Sequence, residues 1–243
     1  MSEPDNFQHE SLDSTASPMY NVGMDKSVKN TPGPLFVTFS GKKQSGKDTA
    51  AQIASNMLTD RGRKVGVIAF ADALKDVVIN LLGVDRKLVY GSNDDKEAVT
   101  SVLWDNLPAE IRFKYSNELC GETGSDLPRD GFMTVREVLQ VMGTDIFRDM
   151  FEPNVWANSP FRRDWTGYDV VIITDCRFPN EKQITEEHGG IVVRFKRDLG
   201  YKDDHRSETA LDEFEFDYNC DNNGSLDDLR IYLFDLFSEL NLL

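Results

Sequence analysis

Apolar positions along the chain fall into short unbroken runs, separated by stretches in which they recur every three or four residues. Leu35-Phe36-Val37-Thr38-Phe39, Val65-Gly66-Val67-Ile68-Ala69-Phe70, Val170-Val171-Ile172-Ile173-Thr174 and Ile191-Val192-Val193-Arg194-Phe195 are rich in β-branched and aromatic residues, and each predicts a strand buried on both faces. After the first run, Ala50, Ile53, Ala54, Met57 and Leu58 recur at helical spacing. A second helix is expected through about Leu82, and a third from Pro179 until Gly189-Gly190 stops it. Ser225-Leu226-Asp227-Asp228 is a capping-box variant ahead of Leu229, Leu233, Leu236, Phe237 and Leu240, which lie on one helical face. Short buried strands alternating with helices predict an α/β domain with a mostly parallel sheet and helices on both of its faces.

Two segments break this rhythm. Between Gly83 and Gly131 charges interrupt the period, and residues 83–131 read as a helical insertion over the mouth of the sheet, suited to acceptor binding or lid motion. Residues 1–33 carry Ser, Asn, Asp, Glu and Pro without an apolar period and end in Thr31-Pro32-Gly33-Pro34. They are expected to form a disordered polar tail, or to hold a partner or subunit contact, ahead of one domain at 34–243.

With 243 residues and 40% hydrophobic content the chain can build one such core. Its 42 acidic and 27 basic residues leave a net charge of −15, which disfavours a sequence-independent grip on nucleic acid. Cys120, Cys176 and Cys220 are odd in number and far apart, so no disulfide framework or zinc site is suggested and a reducing cytoplasm fits. His9, His188 and His205 are scattered, which argues against a His-based metal cluster. No apolar run reaches membrane-spanning length, and no secretory signal pattern opens the chain.

Gly41-Lys42-Lys43-Gln44-Ser45-Gly46-Lys47-Asp48-Thr49 joins the first strand to the first helix and reads as a phosphate-binding loop. Gly41 and Gly46 allow successive N–H groups to face one concavity, Lys47 reaches toward the β and γ phosphates, and the helix start adds partial positive charge. The position after the lysine is usually Ser or Thr, whose hydroxyl binds Mg²⁺. Here it is Asp48, with Thr49 next: either Asp48 takes the metal role, or it caps and charges the helix start.

In an open parallel sheet a ligand lies beyond the carboxyl ends of the strands. Lys42 and Lys43 follow the first strand, Asp72 and Lys75 the second, Asp175 and Arg177 the third. Lys43 suits an acceptor phosphate, or it is a solvated loop lysine; Lys75 suits an acceptor phosphate, or it pairs with a nearby carboxylate; Asp72 suits the acceptor, or it caps its helix. Asp175 has the placement of a carboxylate that organises Mg²⁺, or it is a turn Asp at a strand end; Arg177 offers a planar fork for phosphate oxygens, or it makes a surface salt bridge. Within Thr134–Asp145, Arg136, Gln140 and Gly143 share one helical face, while Val135, Val138, Leu139 and Met142 make the apolar side. That face suits a base and its phosphate, or it belongs to an ordinary amphipathic helix. Arg129, Arg148, Arg162 and Arg163 are candidates to close over the transferring group, and Asp204-His205-Arg206-Ser207-Glu208 borders the site or is a polar loop.

Together, Ser40 to Thr49, Arg136-x-x-Leu139-Gln140-x-x-Gly143-Thr144-Asp145, Asp175-Cys176-Arg177 and His205-x-Ser207-Glu208 resemble the deoxynucleoside monophosphate kinases of tailed bacteriophages, in which Asp-Thr also follows the loop lysine. The resemblance runs from about residue 35 to the C-terminus and is poor over 83–131. It implies a phosphate-loop nucleoside monophosphate kinase-like fold, with transfer of the ATP γ-phosphoryl to a deoxynucleoside 5′-monophosphate in the presence of Mg²⁺. On the ATP side it puts Gly41, Ser45, Gly46, Lys47, Asp48 and Thr49. On the acceptor side it puts Lys43, Asp72, Leu74, Lys75, Arg136, Gln140, Gly143, Thr144, Asp145 and Arg177. Lys47, Arg136, Arg177 and Asp175 would carry the chemistry, and Asp48, Thr49 and Asp175 would serve the metal. A cytoplasmic enzyme follows, in the host cytoplasm if phage-encoded, with a homodimer left open and neither nucleic acid nor membrane as a partner. Phosphomevalonate kinases share the Lys-x-Ser-Gly-Lys-Asp loop, so a small-metabolite kinase is the nearest alternative. A non-catalytic nucleotide-binding protein is the alternative from another class.

Overall fold

The computed structural model describes residues 33–120, 127–198, 200 and 209–243, with only the backbone at 117–120. The expected tail, apart from Gly33, and the Asp204 to Glu208 run lie outside the described residues.

Five parallel strands form the main sheet: β1 (Leu35–Gly41), β2 (Val65–Ile68), β5 (Val170–Cys176), β6 (Ile191–Lys196) and β7 (Tyr218–Asp221), in spatial order β2-β5-β1-β6-β7. The central strands β5, β1 and β6 are buried along most of their length, whereas the edge strand β2 leaves Val67 exposed. Val37, Phe39, Val170 to Ile173 and Val193 have no exposed surface, as strands covered on both faces require. One face packs on α1 (Lys47–Asp60) and α8 (Leu226–Glu239) through Ala50, Ala54, Leu58, Leu233 and Phe237. The opposite face, with Phe70, Ile173 and Val192, takes Leu211, Phe161 and Trp165, and α7 (Pro179–Glu187) lies on that side with Pro at its first position. The expected α/β architecture with helices on both faces is what the chain adopts.

The sequence pattern missed β7. Its residues, Tyr-Asn-Cys-Asp, are too polar to signal a strand, and it pairs with β6 on one side only, so a buried apolar run is not required of it. The strand expected over 65–70 ends at Ile68. Asp175, expected just past its strand, is the penultimate residue within β5.

The insertion is not purely helical. After α2 (Asp72–Leu82) and the short α3 (Arg86–Val89) comes β3 (Val99–Leu103), then α4 (Ala109–Cys120). β3 pairs antiparallel with β4 (Phe132–Thr134), which lies just beyond the boundary drawn at 131. A second core of Val78, Val89, Trp104, Met133, Val135 and Val138 binds this layer to α2 and to α5 (Val135–Gln140). Thr134 and Glu137 close a capping box at the start of α5, and from Val141 to Asp149 the helix widens into a π-helical stretch. The short α6 (Val155–Asn158) follows.

Candidate active site

Because every strand of the main sheet runs the same way, its carboxyl edge gathers the loop after β1, the turn into α2, Arg177 after β5 and Arg197 after β6. The loop after β1 is a formed cradle. Gly46 adopts a left-handed φ of 92° as it caps α1, and Gln44 is held at φ 62°, unusual for a residue with a Cβ. Ser45 donates its N–H to the Lys42 carbonyl at 3.1 Å. A Cβ on Gly41 would meet the Ser45 Oγ at 2.5 Å and the Phe195 carbonyl at 2.7 Å, so strand and loop approach too closely for any side chain there.

Lys47 is buried, and its Nζ donates to the carbonyls of Gly41 and Lys42 at 2.6 and 2.7 Å and to Ser45 Oγ at 3.4 Å. Its charge is therefore kept inside the cradle. Asp48 and Thr49 open α1 and are both exposed. Asn222, just after β7, donates its Nδ2 to the Ser45 carbonyl at 2.8 Å and lies against Gly46, where a Cβ would strike it. Beside the loop, Gly46, Thr49, Arg197, Asn222 and Leu229 line a cleft of about 110 Å³.

A larger cavity of about 350 Å³ lies between α2, the insertion and the α5 segment. Leu74, Arg136, Gln140, Gly143 and Thr144, all expected from the sequence, form its walls together with Leu139, with Arg148 and with two unanticipated contributors, Lys96 and Trp156. Arg148 was expected only as one of several candidate lid arginines. Gly143 permits the close approach of α2, since a Cβ there would come within 2.7 Å of Leu74 Cδ2. Trp156 is fixed by an indole N–H bond to the Gly143 carbonyl at 2.8 Å. π-helical turns of this kind are rare and concentrate at functional sites.

The other expected acceptor residues lie outside these walls. Lys75 sits 3.8 Å from Asp72 and over the Tyr90 ring, and Asp72 accepts from the Ala69 N–H at 2.8 Å and from the Tyr90 hydroxyl at 3.1 Å. Asp72 is thus not the residue preceding its helix but the first within it, reaching back to the turn. Asp145 is buried and turned to structural use: Lys114 and Tyr115 donate to its two oxygens at 2.7 and 2.9 Å.

Asp175 has both carboxylate oxygens engaged by backbone, from Phe70 N–H at 2.6 Å and Ala71 N–H at 3.3 Å, and burial raises its pKa above the ordinary carboxylate value. It ties the end of β5 to the turn into α2. Glu181 does the same for the next turn, accepting from the N–H groups of Arg177 and Phe178 at 2.7 and 3.0 Å, and burial pushes its carboxyl up to about 7.

Of the candidate lid arginines, Arg129 pairs with Glu137, Arg162 with Glu152 at 2.8 Å and Arg163 with Asp76 at 3.2 Å. Arg148 differs: its Nε is buried with no hydrogen-bond partner, and its guanidinium lies 5.6 Å from the Phe178 ring centre.

Among the described residues no cluster of three or more His, Cys, Asp or Glu could hold a metal, and no helix is long and apolar enough to cross a membrane. At the loop, Asp48 and Thr49 are exposed and carry oxygens of the kind a hard cation accepts. Such a sparse set of hard donors fits Mg²⁺ carried mainly by phosphates and water.

Comparison with known proteins points the same way. A family model described as deoxynucleotide monophosphate kinase matches residues 127–232, which span α5 and the strands β5 to β7. A protein of Acanthamoeba polyphaga mimivirus, provisionally named a deoxynucleotide monophosphate kinase, is 27% identical over 198 residues, covering 80% of this chain and 91% of that protein. The deoxynucleoside-5′-monophosphate kinase of Escherichia phage T5 is 27% identical over 219 residues, covering 73% and 85%. The deoxynucleotide monophosphate kinase of Enterobacteria phage T4 is 31% identical over 103 residues, covering 40% and 42%. The family expected from the loop and the Arg136 helix is therefore borne out, and the chain is a relative of the deoxynucleotide monophosphate kinases of phage and mimivirus.

Proposed function

We propose that the protein transfers the γ-phosphoryl group of ATP to a deoxynucleoside 5′-monophosphate, giving the diphosphate and ADP. The observation that carries this is the pairing of a formed phosphate cradle with a cation-bearing cavity of about 350 Å³, whose Lys96 feels the charge of Lys43 in the loop. The kinase-family match, which includes the α5 segment lining that cavity, favours a deoxynucleotide over a small metabolite as acceptor.

ATP lies with its phosphates on Gly41, Ser45, Gly46, Lys47, Asp48 and Thr49, and its nucleoside in the cleft between Arg197 and Asn222. Lys47, already charged and confined, exchanges two carbonyl partners for β and γ oxygens, so little reorganisation is asked of it. Asp48 and Thr49 would hold Mg²⁺, which supplies neutralisation of the phosphate charge. The acceptor base lies against Leu74, Leu139, Gly143 and Trp156, with Gln140 and Thr144 offering hydrogen bonds at its edge. Arg136, Lys43, Lys75 and Arg177 face the acceptor phosphate and the transferring group, and phosphoryl transfer then needs alignment and charge compensation and no covalent intermediate. Asp175 is assigned a positioning duty, because both its oxygens hold the turn that aims Lys75. Cys176 and Cys220 suit a reducing, cytoplasmic setting as buried thiols.

The test is coupled ADP release with ATP and Mg²⁺ over a panel of deoxynucleoside monophosphates, with phosphomevalonate as a control acceptor. Turnover that discriminates among bases is expected. Absence of acceptor-dependent release with every deoxynucleotide would overturn the assignment.

A further inference from the structure

The insertion places two neighbouring side chains on one turn and gives them opposite tasks. Glu97 binds Arg136 at 2.5 Å from its Nε, and the Asn93 carbonyl accepts from the same guanidinium at 3.3 Å, so Arg136 is fastened to the insertion. Lys96, between them in sequence, enters the wall of the large cavity instead. It is half-buried, and no hydrogen bond or ion pair reaches its ammonium among the described residues.

Around it stand Lys75 of α2, Arg136 of α5 and Lys43 of the phosphate loop, with Asp95 of its own turn the one carboxylate that acts on it appreciably. Burial, then those three cations in that order, lowers its pKa. Two of these four cations already have carboxylate partners, Arg136 with Glu97 and Lys75 with Asp72, whereas Lys96 faces like charge from three segments, an arrangement that an anion bound beside Lys96 and Arg136 would relieve. The rest of the wall sets Leu74, Leu139, Gly143 and Trp156, which suit a flat base, beside the polar Gln140 and Thr144 and the further cation Arg148, which leaves the cations for a phosphate.

We propose that Lys96 is the insertion's ligand for the acceptor, binding the 5′-phosphate oxygens of the incoming monophosphate beside Arg136. The identity of the guest rests on the kinase assignment above; the existence of an anion site at Lys96 does not. Acceptor binding is thereby shared between the sheet domain and the insertion, and neither half holds the monophosphate alone.

The experiment compares wild type, Lys96→Gln and Lys96→Arg by calorimetry with a deoxynucleoside monophosphate, its parent deoxynucleoside and inorganic phosphate, alongside steady-state kinetics. Loss of one charge-assisted contact is expected to weaken monophosphate binding about tenfold in Lys96→Gln. The acceptor KM should rise by a similar factor while the KM for ATP changes less than about twofold. Binding of the deoxynucleoside, which lacks the phosphate, should be unchanged, and Lys96→Arg should recover most of the loss. The inference is overturned if Lys96→Gln binds the monophosphate and inorganic phosphate as tightly as wild type, or if wild type binds neither. If wild type phosphorylates no deoxynucleotide yet binds inorganic phosphate through Lys96, the anion site stands and the kinase assignment falls.

Discussion

The phosphate loop and the larger cavity, to which we assign the acceptor, are assembled in different ways. The loop is one stretch of nine residues, shaped by the left-handed Gly46, the Ser45 N–H on Lys42 and the Lys47 ammonium between two carbonyls, and held from outside by Asn222. The cavity takes its walls from α2, the insertion, α5 with its π-helical continuation, and α6, which are far apart in sequence. A site built locally holds one geometry before its ligand arrives. A site built from four elements can adjust by moving any one of them, which suits the partner that must enter, react and leave on each cycle.

Substitutions can test that contrast, beginning where the largest effect is expected. Lys47→Ala removes the charge held in the cradle and should lower kcat by about a thousandfold or more, with calorimetric affinity for the monophosphate unchanged. Equal losses of acceptor affinity would mean that the two sites are not separable.

Glu181 lies behind Arg177, and its carboxyl is raised from its ordinary 4.5 to about 7 by burial. The fold therefore favours the protonated form, so the contribution is fully present below about pH 4.5 and is lost as pH rises through about 7. Wild type should lose up to about 3 kcal/mol relative to Glu181→Gln across that window in urea melts. Parallel stability profiles would remove Glu181 from the account.

Gly143→Ala pushes against Leu74, the far end of a flexible side chain, and should raise the acceptor KM by about three- to tenfold while leaving ATP binding intact. The smallest change is expected from Glu97→Gln, which releases an exposed Arg136; acceptor affinity should shift less than about threefold. A larger shift would show that fastening Arg136 to the insertion matters as much as the cation itself.

The same contrast explains what the sequence disclosed. The strands with β-branched apolar runs, the loop between Gly41 and Thr49, and the caps at Pro179 and Ser225 could all be read directly, since each depends on a few adjacent residues. Arg136, Gln140 and Gly143 could also be read, because helical spacing alone puts them on one face, while Thr144 was supplied by the family motif.

Lys96 and Trp156 could not. Lys96 sits in the charged run Asp94-Asp95-Lys96-Glu97, which looks like solvated surface, and Trp156 belongs to a helix of four residues with no period to read. Asp145 shows the limit of a shared motif: its neighbours Gly143 and Thr144 line the cavity, while its own carboxylate, within the π-helical stretch, accepts from Lys114 and Tyr115. Arg129, Arg162 and Arg163 looked equivalent to Arg148 in sequence, and only their carboxylate partners separate them.

The bond from Asn222 to the Ser45 carbonyl joins residues 177 positions apart. A ribosome makes the glycine-rich turn early and its clamp among the last residues, so a nascent chain arrested before β7 should carry the whole nucleotide motif yet fail to be retained on immobilised ATP. Competence for nucleotide would then arrive with the end of translation, and retention of such arrested chains would show that the turn can mature unaided.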